Sequence, residues 1–66
     1  MDKEEYKILK AKFLKLFPSV PLLLRNEIIA LVDNQTISWT AAYGEIKSDT
    51  DKAKIILTHL KQIGLL

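Results

Sequence analysis

The sequence predicts an all-α fold, a compact domain of four helices. Three observations carry that expectation. Apolar residues recur at helical spacing along several stretches, helix-starting and helix-stopping residues stand at the ends of those stretches, and only two Gly and two Pro interrupt the chain. A length of 66 residues allows one domain, covering residues 1–66. A chain this short buries a modest core, which small domains often reinforce with disulfides or metal. It has no cysteine, so disulfides, thiolate metal sites and cysteine nucleophiles are excluded. Its apolar content of 48%, dominated by Leu and Ile, offers dense helical packing instead.

The first helix is expected from about Lys3 to Phe17. Tyr6, Leu9, Phe13, Leu16 and Phe17 fall on one side of it, with Ile8 and Leu14 on opposite flanks. Pro18 ends it, because the residue before a proline disfavours helical geometry. The second helix is predicted to start near Pro21 and run to about Asp33. Leu24, Ile28, Leu31 and Val32 define its face, widened by Leu22 and Ile29, with Arg25 inside the arc and in need of a carboxylate. The polar run Asp33-Asn34-Gln35-Thr36 makes a turn, and Ile37 is a short extended residue.

Ser38 is a good N-cap for a third helix, Trp39 to about Lys47. Ser48-Asp49-Thr50-Asp51 supplies the next start, with hydroxyl caps and acids in the first turn. The fourth helix runs from about Asp49 to Gln62, with Ala53, Ile56, Leu57, Leu60 and Ile63 on one face and Gly64 as its stop.

The second to fourth helices have the shape of a helix-turn-helix unit. Ala53, Leu57, Leu60 and Gly64-Leu65-Leu66 resemble the ending of winged-helix domains. Ile37 then resembles their first short strand, and Ala42 and Ile46 the core of the positioning helix. The resemblance covers residues 21–66 and implies a winged-helix-like fold without its wing, plus the N-terminal amphipathic helix. Two departures stand out: the turn before the last helix lacks the usual Gly, and Gly44 lies inside the third helix.

Charge narrows the partner. The formal net charge is +2 and the pI about 9.0. Lys3, Lys7, Lys10, Lys12 and Lys15 outnumber Asp2, Glu4 and Glu5 in the first helix, while the rest of the chain balances. A dedicated nucleic-acid binder carries a stronger bias; these lysines suit weak, non-specific nucleic-acid contact, or simply solubility. The acidic start gives no secretory leader, and the longest apolar runs, such as Val20 to Leu24, are too short to span a bilayer. A cytoplasmic protein with no membrane contact is expected.

The outward face of the last helix carries Asp51, Ile55, Thr58, His59 and Gln62, flanked by Lys52 and Lys54. A base reader would put Arg, Asn or Gln at that centre. Here Ile55 occupies it, and Asp51 repels phosphate. An apolar residue ringed by polar ones suits a protein contact, unless the first helix covers it. Trp39 is expected either as a core anchor or as a half-exposed hot spot, and Arg25 with Glu45 as an ion pair. His59, the single histidine, has no ligand or nucleophile partner. No catalytic motif, metal spacing or cofactor loop is present, so neither an enzyme nor a cofactor is expected.

Ile8, Leu14, Leu23, Ile55, Leu65 and Leu66 are hard to bury together in so small a core. This surplus predicts a small accessory subunit that binds a larger protein, with Ile8, Leu14, Trp39 and the outward face of the last helix as contacts. The alternatives are a wingless DNA-binding transcription regulator and a self-associating bundle; a homodimer fits either. A narrower resemblance points the same way. Leu24-Arg25-Asn26-Glu27-Ile28-Ile29, Ile37-Ser38-Trp39, Ile56-Leu57 and Leu60 are similar to small helical proteins of crenarchaea, among them auxiliary subunits of the family-B replicative DNA polymerase. That likeness implies a non-catalytic polymerase-binding role in DNA replication.

Overall fold

The computed structural model describes residues 1–66 and overturns the all-α expectation. The chain is a small α/β domain: helix α1 (Lys3–Leu16), strands β1 (Ile28–Val32) and β2 (Gln35–Ser38) in an antiparallel pair, then helices α2 (Trp39–Lys47) and α3 (Asp51–Gln62). No helix occupies Pro21 to Asp33. Two single 3₁₀ turns, Phe17–Ser19 and Leu22–Leu24, lead instead into the hairpin. The helix-turn-helix arrangement expected for 21–66 therefore loses its scaffold helix.

The reason is local. Ile28-Ile29-Ala30-Leu31-Val32 and Gln35-Thr36-Ile37 are apolar and β-branched runs separated by two residues, Asp33 and Asn34. Both adopt the left-handed region, φ 50° and 63°, as a tight two-residue hairpin turn requires. Asp and Asn tolerate that region better than other side chains. Once the hairpin closes, alternation replaces helical periodicity: Ala30, Val32 and Ile37 turn inward and Leu31 and Thr36 outward. A register irregularity between Ile28 and Ala30 inserts Ile29 as an extra residue, and its side chain also packs on the core.

The helices obey their signals. Asp2 caps α1, its carboxylate accepting from Glu5 N–H at 2.7 Å. Ser38 caps α2 by accepting from Ala41 N–H at 3.1 Å. Trp39 N–H and Thr40 N–H donate back to the Glu27 and Arg25 carbonyls, tying the start of α2 to the turn before the hairpin. At the end of α3, Gly64 sits at φ 84° while Leu65 and Gly64 N–H return to the Leu60 and Lys61 carbonyls. The turn from α2 to α3 repeats this closure without glycine. Asp49 takes the left-handed position at φ 54°, and Asp49 and Thr50 N–H return to Ile46 and Glu45.

Helix α3 is the axis of the core. Its Ala53, Ile56, Leu57 and Leu60 are completely buried against Leu9 and Phe13 of α1, Ala42 and Ile46 of α2, and Ala30, Val32 and Ile37 of the hairpin. Burying one such Leu or Ile fully contributes about 1.5–3 kcal/mol. An aromatic row borders this core. Trp39 stacks on Phe13 at 5.8 Å between centroids, Phe13 meets Phe17 at 6.2 Å, and Phe17 stacks on Tyr43 at 4.4 Å. Arg25 lies 4.7 Å over Phe17 and donates from Nε to the Val20 carbonyl. It therefore finds an aromatic face and a carbonyl rather than the expected Glu45, whose carboxylate instead accepts from the Thr50 hydroxyl.

A candidate protein-docking groove

The outward face of α3 is not covered by α1. Ile55, 48% exposed, lies on the floor of an open groove of about 310 Å³ between α3 and β1. Thr58, His59 and Gln62 continue that floor at helical spacing, and Lys54 stands beside it. The opposite wall is β1, through Leu31 and Val32. Leu31 is 57% exposed, because it sits on the outward side of the hairpin. Among the lining residues there is one lysine and one histidine but no carboxylate.

Local structure fixes this wall. The Lys52 ammonium donates to Gln35 Oε1 at 2.8 Å, pinning the tip of the hairpin to α3. The Thr58 hydroxyl turns back to the Lys54 carbonyl at 2.8 Å, so its hydrogen is engaged within the helix. Beyond a two-residue turn, Val32 and Gln35 form the hydrogen-bonded pair, Leu31 and Thr36 the non-bonded pair, and Ala30 and Ile37 the next bonded pair. The Leu31 N–H and C=O therefore point away from β2, along the free edge of β1, and take no partner in a turn, loop or cap.

The structure separates the residues singled out in the sequence. Ile55, Thr58, His59 and Gln62 come together in the groove. Asp51 is exposed in the first turn of the same helix but does not line it. Trp39 is partly buried in the aromatic row, which makes it a core anchor. Ile8 is exposed on α1 and Leu14 packs against the core, and neither lines the groove of Ile55. Leu31 and Val32 are the groove residues that sequence reasoning missed. Their signal was the β-branched run ahead of Asp33-Asn34.

The lysines of α1 do not form one basic stripe. Lys10 is held at 2.7 Å by the Asp49 carboxylate, in the turn between α2 and α3. Lys12 and Lys15 border a second hollow of about 390 Å³, with Leu16, Ser19, Leu65 and Leu66. Lys3, near Asp2, Tyr6 and Lys54, and the exposed Lys7 share the face of α1 that carries Lys10, apart from Lys12 and Lys15. The Asp49 carboxylate also accepts from the Tyr6 hydroxyl at 2.5 Å. Hydrogen bonds from Lys10 and then Tyr6 hold its pKa below the usual carboxylate range. Burial first, and the bond to Asp49 second, push the Tyr6 hydroxyl up to about 12. This cluster staples α1 to the α2–α3 turn.

No helix of the chain is long and apolar enough to cross a membrane. No protein-family model, no curated protein and no solved structure matches the sequence or the fold.

Proposed function

We propose that this chain is a small, non-catalytic accessory subunit that docks on a larger protein through the groove between β1 and α3. The observation that supports this is the pairing of Ile55 and Leu31, two large apolar side chains half open to water and rimmed by Thr58, His59, Gln62 and Lys54. An apolar centre with a polar rim is the arrangement of an interface hot spot. The partner we favour is a DNA-handling assembly such as a replicative DNA polymerase holoenzyme, a choice that rests on the sequence resemblance alone. The split of the α1 lysines between two faces, with Lys10 committed to Asp49, favours this reading over a DNA-binding regulator.

The test is affinity purification of the tagged chain from its native cells, beside an Ile55→Asp variant. A partner should co-purify with the parent chain and be lost with the variant, while circular dichroism shows the variant still folded. A partner retained by Ile55→Asp defeats the reading. So does DNA binding that falls steeply with salt and disappears in a Lys12→Glu/Lys15→Glu chain, which restores the regulator.

A further inference from the structure

We infer that the occupant of this groove is an extended peptide segment with acidic flanks, added as a third strand to the free edge of β1. The inference rests on the protein-docking reading and names the form and charge of what docks. Three features of the groove favour it.

The first is the backbone. Leu31 presents an unpaired N–H and C=O on the groove side of β1, and a two-stranded sheet leaves such an edge open to another strand. Unpaired edges are a standard template for strand addition, in which main-chain hydrogen bonds supply affinity and pockets for alternate side chains supply selectivity. The second is the floor. Ile55, flanked by Thr58 and His59, offers an apolar contact bordered by polar groups, which suits the alternating apolar and polar side chains of a strand. A docked helix would use the floor but leave the Leu31 backbone unpaired, at the cost of a desolvated donor.

The third feature is charge. Lys54 is the one charged side chain that lines the groove, and no carboxylate does. A segment with Asp or Glu at its ends is attracted there, and a basic one is repelled. The same fact argues against a second copy of this chain. A two-fold pairing of β1 edges brings identical patches together, each lined by Lys54 and by no carboxylate to pair with the other's lysine.

The experiment selects a random peptide display library on the full chain and titrates the enriched peptides into labelled protein by NMR. The expected peptides alternate apolar and polar residues and carry acidic ends. They shift the Leu31, Ile55, Thr58 and His59 signals and protect the Leu31 amide from exchange. N-methylation of a peptide amide that faces β1 should weaken binding about three- to tenfold, and methylation of its neighbours should not. Leu31→Pro, which removes the edge donor together with the Leu31 side chain without touching the β2 ladder, should give at least as large a loss. Lys54→Glu should reverse the preference for acidic ends.

Helical or basic peptides enriched at the same residues overturn the strand inference and leave the docking groove standing. Peptides that bind Ile55→Asp as well as the parent, or no enrichment at all, overturn both. A concentration-dependent dimer whose Leu31 amide is protected without peptide shows that a second copy fills the edge, and overturns the inference as well.

Discussion

Two regions of this molecule carry similar apolar side chains and treat them in opposite ways. In α3, Ala53, Ile56, Leu57 and Leu60 are sealed from water completely. In the segment from Leu22 to Leu31, Leu22 is 75% exposed and Leu23 93%, and Leu24, Ile28 and Leu31 are also open. Residue type alone does not assign a side chain to the core. What decides is whether its element has a second layer to pack on. Helix α3 has α1, α2 and the hairpin around it, whereas the 3₁₀ turn at Leu22–Leu24 and the outer face of β1 have nothing above them.

The largest expected contrast is between Leu57→Ala and Leu23→Ala. Removing the buried side chain should cost about 2–5 kcal/mol. A domain of this size has about 3–5 kcal/mol in total, so the variant should be unfolded by circular dichroism. Leu23→Ala should stay within about 0.5 kcal/mol of the parent in a denaturant titration. Equal losses at the two positions would mean that Leu23 is covered in solution.

The hairpin gives the next contrast, since it replaces the helix that residue periodicity suggests. Asn34→Val should destabilise the chain by about 1–2 kcal/mol, because a β-branched side chain resists the left-handed region. If residues 21–33 were helical, the same change would be nearly silent. The α2–α3 turn behaves alike in one respect and differs in another. Asp49→Ala keeps the left-handed strain and loses both the Tyr6 and Lys10 contacts. Asp49→Gly loses the contacts but relieves the strain, so it should be the more stable of the two by about 1 kcal/mol in chemical denaturation.

The smallest effect is a titration. The Tyr6 hydroxyl should ionise with a midpoint of about 12, followed by phenolate absorbance, and Asp49→Asn should lower that midpoint only in part, because burial, the larger cause, remains. Its raised value means that Tyr6 favours the folded state in its neutral form. That stabilisation is whole below its ordinary pKa and is lost as pH rises through the raised one. Asp49 has the opposite sign: its lowered pKa contributes stability above the ordinary carboxylate range, which disappears as pH falls through the lowered value. An Asp49→Asn chain should lose the acid-side dependence and keep the part of the Tyr6 dependence that burial causes.

Much of the helical part was legible because its signals are short-ranged. Ser38 as a cap, Gly64 as a stop and the stripe of Ala53, Ile56, Leu57 and Leu60 act within one or two turns and agree with the structure, while Ile63, on the same stripe, is 57% exposed beyond the end of α3. The segment from Pro21 to Asp33 differs from its helical expectation because a five-residue apolar run satisfies both periods. Leu24, Ile28, Leu31 and Val32 fit a helix face as well as Ala30 and Val32 fit one side of a strand. Asp33-Asn34 between two β-branched runs was the signal that should have decided it.

The groove divides along the same line. The outward face of α3, with Ile55, Thr58, His59 and Gln62 together, follows from residue order, because helical spacing is a property of the helix alone. Composition likewise determines that the apolar content exceeds what so small a core can hold. Only the tertiary structure decided that Leu31 joins Ile55, that Trp39 and Leu14 turn to the core, and that Lys10 is tied to Asp49. Those outcomes depend on which elements meet across the fold. They are settled by competition for one small buried volume, and no local pattern of residues records the result.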